Sequence, residues 1–179
     1  MILRRFLSNI NKQTISKLPR LAVFDLDHTI WPFGVDTFCF TPPFHLNDKG
    51  QVIDMSAKVI EYFADIPQVF GYLQDNRIKI GVASRTCFPS GAKALLERLN
   101  LNENIDYFEI YPGQKVKHFE RIALESGIHY SDMIFFDDEP RNIDDVSAIG
   151  VFSVLVPHET GVTRHVFDKA IQDFQMQAK

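Results

Sequence analysis

The chain has 179 residues, of which 45% are hydrophobic and 23% are charged, and its formal net charge at pH 7 is −4. This length suits one domain with a substantial core, and the composition is typical of a globular protein. No apolar run reaches the ~20 residues that cross a bilayer, so we expect no membrane association. The negative net charge argues against nucleic acid as a partner.

The two cysteines, Cys39 and Cys87, are far apart and form no CxxC pair. A disulfide framework or a zinc site is therefore not expected, and a reducing compartment fits the chain best. Neither cysteine fits the Cys-x5-Arg loop of cysteine-dependent phosphatases, because His45 and Lys93 stand where that loop has arginine.

The first 20 residues contain five basic residues and no acidic one. We treat residues 1–17 as a basic extension and residues 18–179 as the folded domain. A basic, acid-free start that contains Ser and Thr is typical of a mitochondrial transit peptide. We expect a cytoplasmic protein, with mitochondrial targeting through this extension as the alternative.

Strand-like and helix-like segments alternate along the chain, which predicts an α/β fold with a mainly parallel sheet. Short apolar runs predict five strands, at Leu21–Asp25, Ile78–Ala83, Tyr107–Tyr111, Met133–Phe136 and Val151–Val156. Helical patterns predict five helices, within residues 59–76 and at residues 90–99, 116–126, 141–149 and 163–174.

A segment rich in Phe and Pro follows the first strand, and a small hairpin is predicted over residues 44–56, around Asn47-Asp48-Lys49-Gly50. The aromatic side chains of this region either form a satellite core or stack on an aryl group of a substrate, and the sequence leaves both open. They are Trp31, Phe33, Phe38, Phe40 and Phe44.

Polar residues stand at or just beyond the ends of four predicted strands. Ligands of open parallel sheets bind beyond the carboxyl ends of the strands, so these residues are expected to face one crevice. They are Asp25 and Asp27 after the first strand, Ser84 and Arg85 after the second, Lys115 beyond the third, and Asp137 and Asp138 after the fourth. Each alone has an ordinary explanation as a cap, a turn residue or a solvated charge, and the functional signal lies in the set.

This set suits hydrolysis of a phosphate monoester. Asp25 is the candidate nucleophile, and Asp27 is the candidate acid that protonates the leaving oxygen and then deprotonates water. A carboxylate repels phosphate, so a cation must accompany it, and Mg²⁺ prefers oxygen ligands. We expect four aspartates to hold Mg²⁺: Asp25, Asp27 through a nearby backbone carbonyl, Asp137, and Asp138 through water.

Three further side chains are expected to bind the substrate. Ser84 can donate a hydrogen bond to a phosphoryl oxygen, and Lys115 adds positive charge where negative charge accumulates. Arg85 is a candidate contact to the substrate or its phosphate.

Asp25-Leu26-Asp27-His28-Thr29 resembles the DxDxT motif that opens the phosphatases of the haloacid dehalogenase (HAD) type. In that family the first Asp is the nucleophile and the second is the acid/base. Ser84, Lys115 and the pair Asp137-Asp138 match its second, third and fourth motifs.

Over about residues 18–156 the chain is similar to the magnesium-dependent phosphatase 1 family, in the stretches LAVFDLDHTIWPF, ASRT, EIYPGQKVKHFE and IFFDDEPRN. The resemblance implies a HAD-like, Rossmann-like three-layer sandwich without a large cap domain. It also implies activity of the protein-tyrosine-phosphatase type on phosphotyrosine-like aryl phosphates. Sugar phosphates and fructosamine 6-phosphates are further candidate substrates that the resemblance leaves open. His28 replaces an expected Tyr and Pro140 an expected Arg, which leaves substrate preference open.

The expected partner is a phosphorylated small molecule or a phosphoprotein, and a monomer is favoured. Two alternatives remain. A phosphoaspartate signalling module has similar residues, but there the acidic pair comes first and a lone acceptor Asp follows a middle strand. An inactive phosphatase-like scaffold is disfavoured because no motif residue is missing.

Overall fold

Seven strands are present in the computed structural model, which describes residues 17–37 and 40–177. They are β1 (Leu21–Phe24), β2 (His45–Leu46), β3 (Val52–Ile53), β4 (Lys79–Ser84), β5 (Tyr107–Ile110), β6 (Met133–Asp137) and β7 (Phe152–Leu155). Five of them form one parallel sheet in the order β5-β4-β1-β6-β7. The predicted α/β fold with a mainly parallel sheet is confirmed.

Five α-helices connect and follow these strands. They are α1 (Ile66–Asp75), α2 (Pro89–Arg98), α3 (Lys115–Ser126), α4 (Pro140–Ala148) and α5 (Arg164–Gln177). The middle three begin within one residue of the predicted positions. The predicted region 59–76 is helical only from Ile66, because Val59 pairs with Ile53 in an isolated bridge and Pro67 lies in the first helical turn, where proline fits best.

Helices cover both faces of the sheet, so the fold has three layers. Alternate residues of a strand point to opposite faces. On β1, Ala22 and Phe24 pack in a cluster that includes α1, α2 and α5, whereas Leu21 and Val23 pack in a second cluster with α3 and α4. All four side chains are fully buried, as expected for a parallel strand covered on both sides.

The predicted hairpin is present as β2 paired antiparallel with β3. The aromatic segment before it supplies core rather than an entrance surface: Trp31 is fully buried and its ring stacks on Phe33, which contacts Phe40 edge to face. Phe44 is also buried. These aromatic side chains therefore pack as core, but within the main cluster that contains Phe24 rather than as a separate satellite core.

Part of the sequence lies outside the described residues. This applies to residues 1–16 of the basic extension, to Phe38 and Cys39, and to residues 178 and 179. Cys87 is described, and it is an exposed free cysteine. No helix within residues 17–37 and 40–177 is long and apolar enough to cross a bilayer.

Candidate active site

The carboxyl ends of β1, β4 and β6 bring the predicted residues together. The backbone N–H of Asp25 donates to the carbonyl oxygen of Phe136 at 2.9 Å, so Asp25 and Asp137 follow paired residues on adjacent strands. Ser84 is the last residue of β4, on the other side of β1. Lys115 is the first residue of α3, which starts five residues after β5 ends.

Lys115 lies at the centre of the site. Its ammonium group donates to a carboxylate oxygen of Asp25 and to the carbonyl oxygen of Ala83, and it lies 3.0 Å from Oδ2 of Asp137. The Lys115 side chain is 1% exposed and that of Asp137 is fully buried. A buried lysine is stable only when paired, and here two carboxylates and a carbonyl surround it.

Burial and charge act against each other in this cluster. Burial raises the pKa of Asp25, and the Lys115 ammonium opposes that rise. For Lys115 burial alone would lower the pKa, but the carboxylates of Asp25 and Asp137 outweigh it, so the net shift is upward. The lysine therefore stays protonated and donates to a carboxyl oxygen of Asp25.

Asp27 turns its side chain toward the loop after β1. Its Oδ1 accepts a hydrogen bond from the Trp31 indole N–H at 2.7 Å, and its Oδ2 accepts from the backbone N–H of Val35 at 3.2 Å. Burial raises the pKa of Asp27 to about 6, against these two hydrogen bonds, which lower it. A carboxyl group with this pKa can both give and take a proton near neutral pH, which suits the predicted acid/base role.

Asn142 on α4 links Asp137 to Arg85. The Asn142 amide N–H group donates to both oxygens of Asp137 at 3.0 Å, and its Oδ1 accepts from Arg85 Nη1 at 3.1 Å. The backbone N–H of Glu139 also donates to Asp137, at 2.8 Å. The Arg85 Nε is buried and has no hydrogen-bond partner among the described residues.

Ser84 is placed less directly than predicted. Its side chain is buried, and its Oγ accepts a hydrogen bond from the backbone N–H of Thr86 at 3.3 Å. Arg85 and Thr86, rather than Ser84, line the cleft above the sheet. Across from them, Asp36 Oδ2 accepts hydrogen bonds from Thr86 Oγ1 and from the Cys87 backbone N–H, both at 3.1 Å.

Asp138 faces a residue that the sequence did not single out. Its Oδ2 lies 2.8 Å from Nδ1 of His158, and the His158 ring stacks on that of His28. His158 follows β7, which is the fifth of the strands predicted from the sequence. Searching for polar residues after this strand, as was done for the first four, would have found it. Asn142 lies within the stretch IFFDDEPRN but had no role assigned from the sequence.

A cleft of about 310 Å³ joins these groups. Every lining residue is polar or charged: Asp25, Asp27, His28, Asp36, Arg85, Thr86, Lys115, Asp138, Glu139, Arg141, Asn142 and His158. Five of them are carboxylic acids and three are Lys or Arg. A phosphate dianion entering this cleft would meet more negative than positive side chains, so an additional cation is needed.

The donor set fits a hard divalent cation that retains water. No three His, Cys, Asp or Glu side chains within residues 17–37 and 40–177 form a group able to hold a metal ion. Mg²⁺, however, is usually bound by one or two carboxylates together with waters and phosphate oxygens. Asp25 and Asp137 already share one cation, the Lys115 ammonium, so their carboxylates are the candidate oxygen donors for such an ion.

Comparison with known proteins is consistent with this geometry. A family model described as Acid Phosphatase matches residues 17–177. Magnesium-dependent phosphatase 1 of Homo sapiens is 42% identical over 160 residues, which cover 89% of each chain. A HAD-like hydrolase superfamily protein of Schizosaccharomyces pombe is 40% identical over 146 residues, 75% of this chain and 84% of that protein.

A solved structure supports the fold independently of sequence. A HAD-superfamily hydrolase from Ehrlichia chaffeensis superposes with a TM-score of 0.61 at 12% identity, over 90% of this chain and 98% of that one. At this identity the likeness concerns the fold alone.

Proposed function

This chain belongs to the acid phosphatase family, among the magnesium-dependent phosphatases of the HAD-like superfamily, and from that premise we propose that Asp25 forms a covalent aspartyl phosphate during the hydrolysis of phosphate monoesters. One observation carries the proposal: the Lys115 ammonium lies between the carboxylates of Asp25 and Asp137 on the floor of a polar cleft, next to Asp27.

In the first step, one oxygen of Asp25 attacks phosphorus and the bond from phosphorus to the leaving oxygen breaks. Lys115 donates to Oδ1 of Asp25, whereas Oδ2 of Asp25 accepts no hydrogen bond from the described residues. Oδ2 is therefore the attacking atom. Asp27, protonated below its pKa of about 6, gives its proton to the leaving oxygen. The Trp31 and Val35 N–H groups fix the Asp27 carboxyl group for this transfer.

In the second step, the Asp27 carboxylate removes a proton from water. The water oxygen attacks phosphorus, the bond from Asp25 to phosphorus breaks, and phosphate leaves. Asp25, Asp137 and a backbone carbonyl at Asp27, with Asp138 through water, would hold Mg²⁺, and the ion would supply positive charge that offsets the repulsion between carboxylate and phosphate. Lys115 and Arg85 provide donors for the phosphoryl oxygens, and Ser84 is the remaining candidate donor.

The lining of the cleft bears on the class of substrate. The twelve lining residues include no aliphatic and no phenyl side chain, so the leaving group meets mainly polar and charged side chains. This favours hydrophilic leaving groups such as sugars and fructosamines. Phosphotyrosine-like aryl phosphates remain candidates as reactive substrates, because phenolates are good leaving groups. The cleft is open to solvent, so a phosphorylated side chain on a protein is as accessible as a small molecule.

The test is hydrolysis of para-nitrophenyl phosphate by the wild type and by Asp25→Asn, each with magnesium and with EDTA. We expect activity only in the wild type with magnesium, and a loss on the order of 10³-fold or more in the variant. Asp173→Asn, on the outer surface of α5, is the matched control and retains activity. Turnover by purified Asp25→Asn comparable to the wild type would rule out the covalent mechanism.

A further inference from the structure

Two histidines from distant parts of the chain form one side of the cleft. The rings of His28 and His158 are stacked, with centroids 3.6 Å apart and planes 17° from parallel. His28 follows β1 directly after Asp27, whereas His158 follows β7. Neither residue takes part in the phosphoryl-transfer steps described above, yet both line the cleft in which the substrate must bind.

The backbone at His28 indicates that its position is imposed by its surroundings. His28 has φ of 55°, in the left-handed region that non-glycine residues seldom adopt. Residues in this conformation persist only where neighbouring structure holds them, and they are common at ligand sites. Here the neighbouring structure includes the His158 ring, which covers one face of the His28 imidazole.

The contact to Asp138 sets the hydrogen-bonding character of His158. An ionised carboxylate only accepts hydrogen bonds, so Nδ1 of His158 carries the proton that is donated to Asp138 Oδ2 at 2.8 Å. In the neutral ring Nε2 then keeps a lone pair and accepts a hydrogen bond. The His158 side chain is 56% exposed, and Nε2 has no partner among the described residues.

We propose that the stacked His28–His158 pair binds the leaving group of the substrate and selects leaving groups that carry hydroxyl groups. The inference rests on the proposed function and adds two specificity-determining residues to it. The Nε2 lone pair of His158 accepts from a substrate hydroxyl, and His28 adds one donor and one acceptor, since none of its ring nitrogens is hydrogen-bonded within the described residues. Each ring uses one face in the stack.

A purely structural role for the pair makes a different prediction. If the stack only fastened the end of β7 to the loop after β1, its loss would slow all substrates alike. If the pair binds the leaving group, its loss changes the ratio of kcat/KM between a hydroxylated and an aryl substrate. That ratio is therefore the informative measurement.

The experiment compares a hexose 6-phosphate with para-nitrophenyl phosphate in the full-length, magnesium-loaded enzyme. His158→Phe keeps a ring that can stack but removes both nitrogens, and His28→Phe does the same for the other ring. Either variant is expected to lower the ratio of kcat/KM for hexose 6-phosphate to that for para-nitrophenyl phosphate about tenfold, the loss of one ordinary hydrogen bond. His129→Phe, an exposed histidine outside the cleft, is the matched control and leaves the ratio unchanged.

The outcomes are distinct. A lowered ratio in both cleft variants, with an unchanged ratio in the control, supports the inference. An equal loss for both substrates, or a wild type that hydrolyses the aryl ester but no hexose phosphate, overturns it while leaving the proposed phosphatase in place. A wild type that hydrolyses neither ester overturns the proposed function, and this inference with it.

Discussion

The two ends of the same pair of strands, β1 and β6, handle charge in opposite ways. At the amino ends, Arg20 and Asp132 stand just before the strands, and Lys17 and Arg20 both pair with the Asp132 carboxylate. The two basic side chains are about half exposed or more, at 49% and 61%. At the carboxyl ends, Asp25 and Asp137 share Lys115, and all three are buried.

The backbone cannot explain this difference, because the strands pair in one register from end to end. The helix that covers the carboxyl ends explains it, because α3 begins there and its first residue, Lys115, lies between Asp25 and Asp137. Exposed ion pairs contribute little to stability, whereas removing one partner of a buried pair leaves an uncompensated charge in a low dielectric. The fold therefore accepts an energetic cost at one end only, and that end is where chemistry is expected.

Replacing the shared lysine tests the buried end most severely. Lys115→Met leaves Asp25 and Asp137 facing each other without a cation. We expect the free energy of unfolding to fall by about 3 kcal/mol in urea titrations with EDTA, along with a near-complete loss of turnover. Magnesium should restore part of the stability, because it can replace the missing charge. A variant as stable as the wild type would show that Lys115 does not hold the carboxylates together.

Asp27→Asn removes the acid/base without removing a charge pair. For alkyl phosphates, whose leaving groups need a proton, we expect kcat/KM to fall about 10² to 10⁴-fold, the usual contribution of such a group. In the wild type, kcat/KM for these substrates should decline as pH rises through about 6, because Asp27 loses its proton there. Aryl phosphates should respond less. Equal losses for both classes would disprove the general-acid role.

Asp137→Asn is directed at the cation. The new amide would place an N–H group against the donors of Asn142 and Glu139, which now satisfy the carboxylate. We expect the magnesium concentration for half-maximal activity to rise at least about tenfold, since even changes next to metal ligands cost ~10- to 100-fold in affinity. An unchanged magnesium requirement would remove Asp137 from the metal site.

The opposite ends of the strands should show the smallest effect. Asp132→Asn removes the negative charge that pairs with both Lys17 and Arg20, but the basic side chains remain in water. We expect the free energy of unfolding to change by no more than about 1 kcal/mol and kcat/KM to stay the same. A loss as large as that of Lys115→Met would mean that burial does not explain the difference between the two ends.

Polar residues at strand ends predicted their place in the structure well, whereas the aromatic residues after β1 did not. The polar residues after β1, β4 and β6 reach one site because parallel strands end at one edge, a rule that needs only the element order. The aromatic run after β1 was compatible with a substrate surface or a satellite core. Trp31 and Phe44 are core because the hairpin insertion must bury apolar surface of its own.

The sequence by itself determined the α/β alternation, the parallel sheet and the aspartates and lysine at the strand ends, because hydrophobic periodicity and turn residues act locally. Only the tertiary structure decided that Lys115 is shared by Asp25 and Asp137, that Asn142 joins Asp137 to Arg85, and that Ser84 lies behind the cleft lining. It also brought His158 against His28, 130 residues apart in sequence. Such contacts depend on the packing of helices and loops over the sheet edge, and local sequence patterns carry no record of that packing.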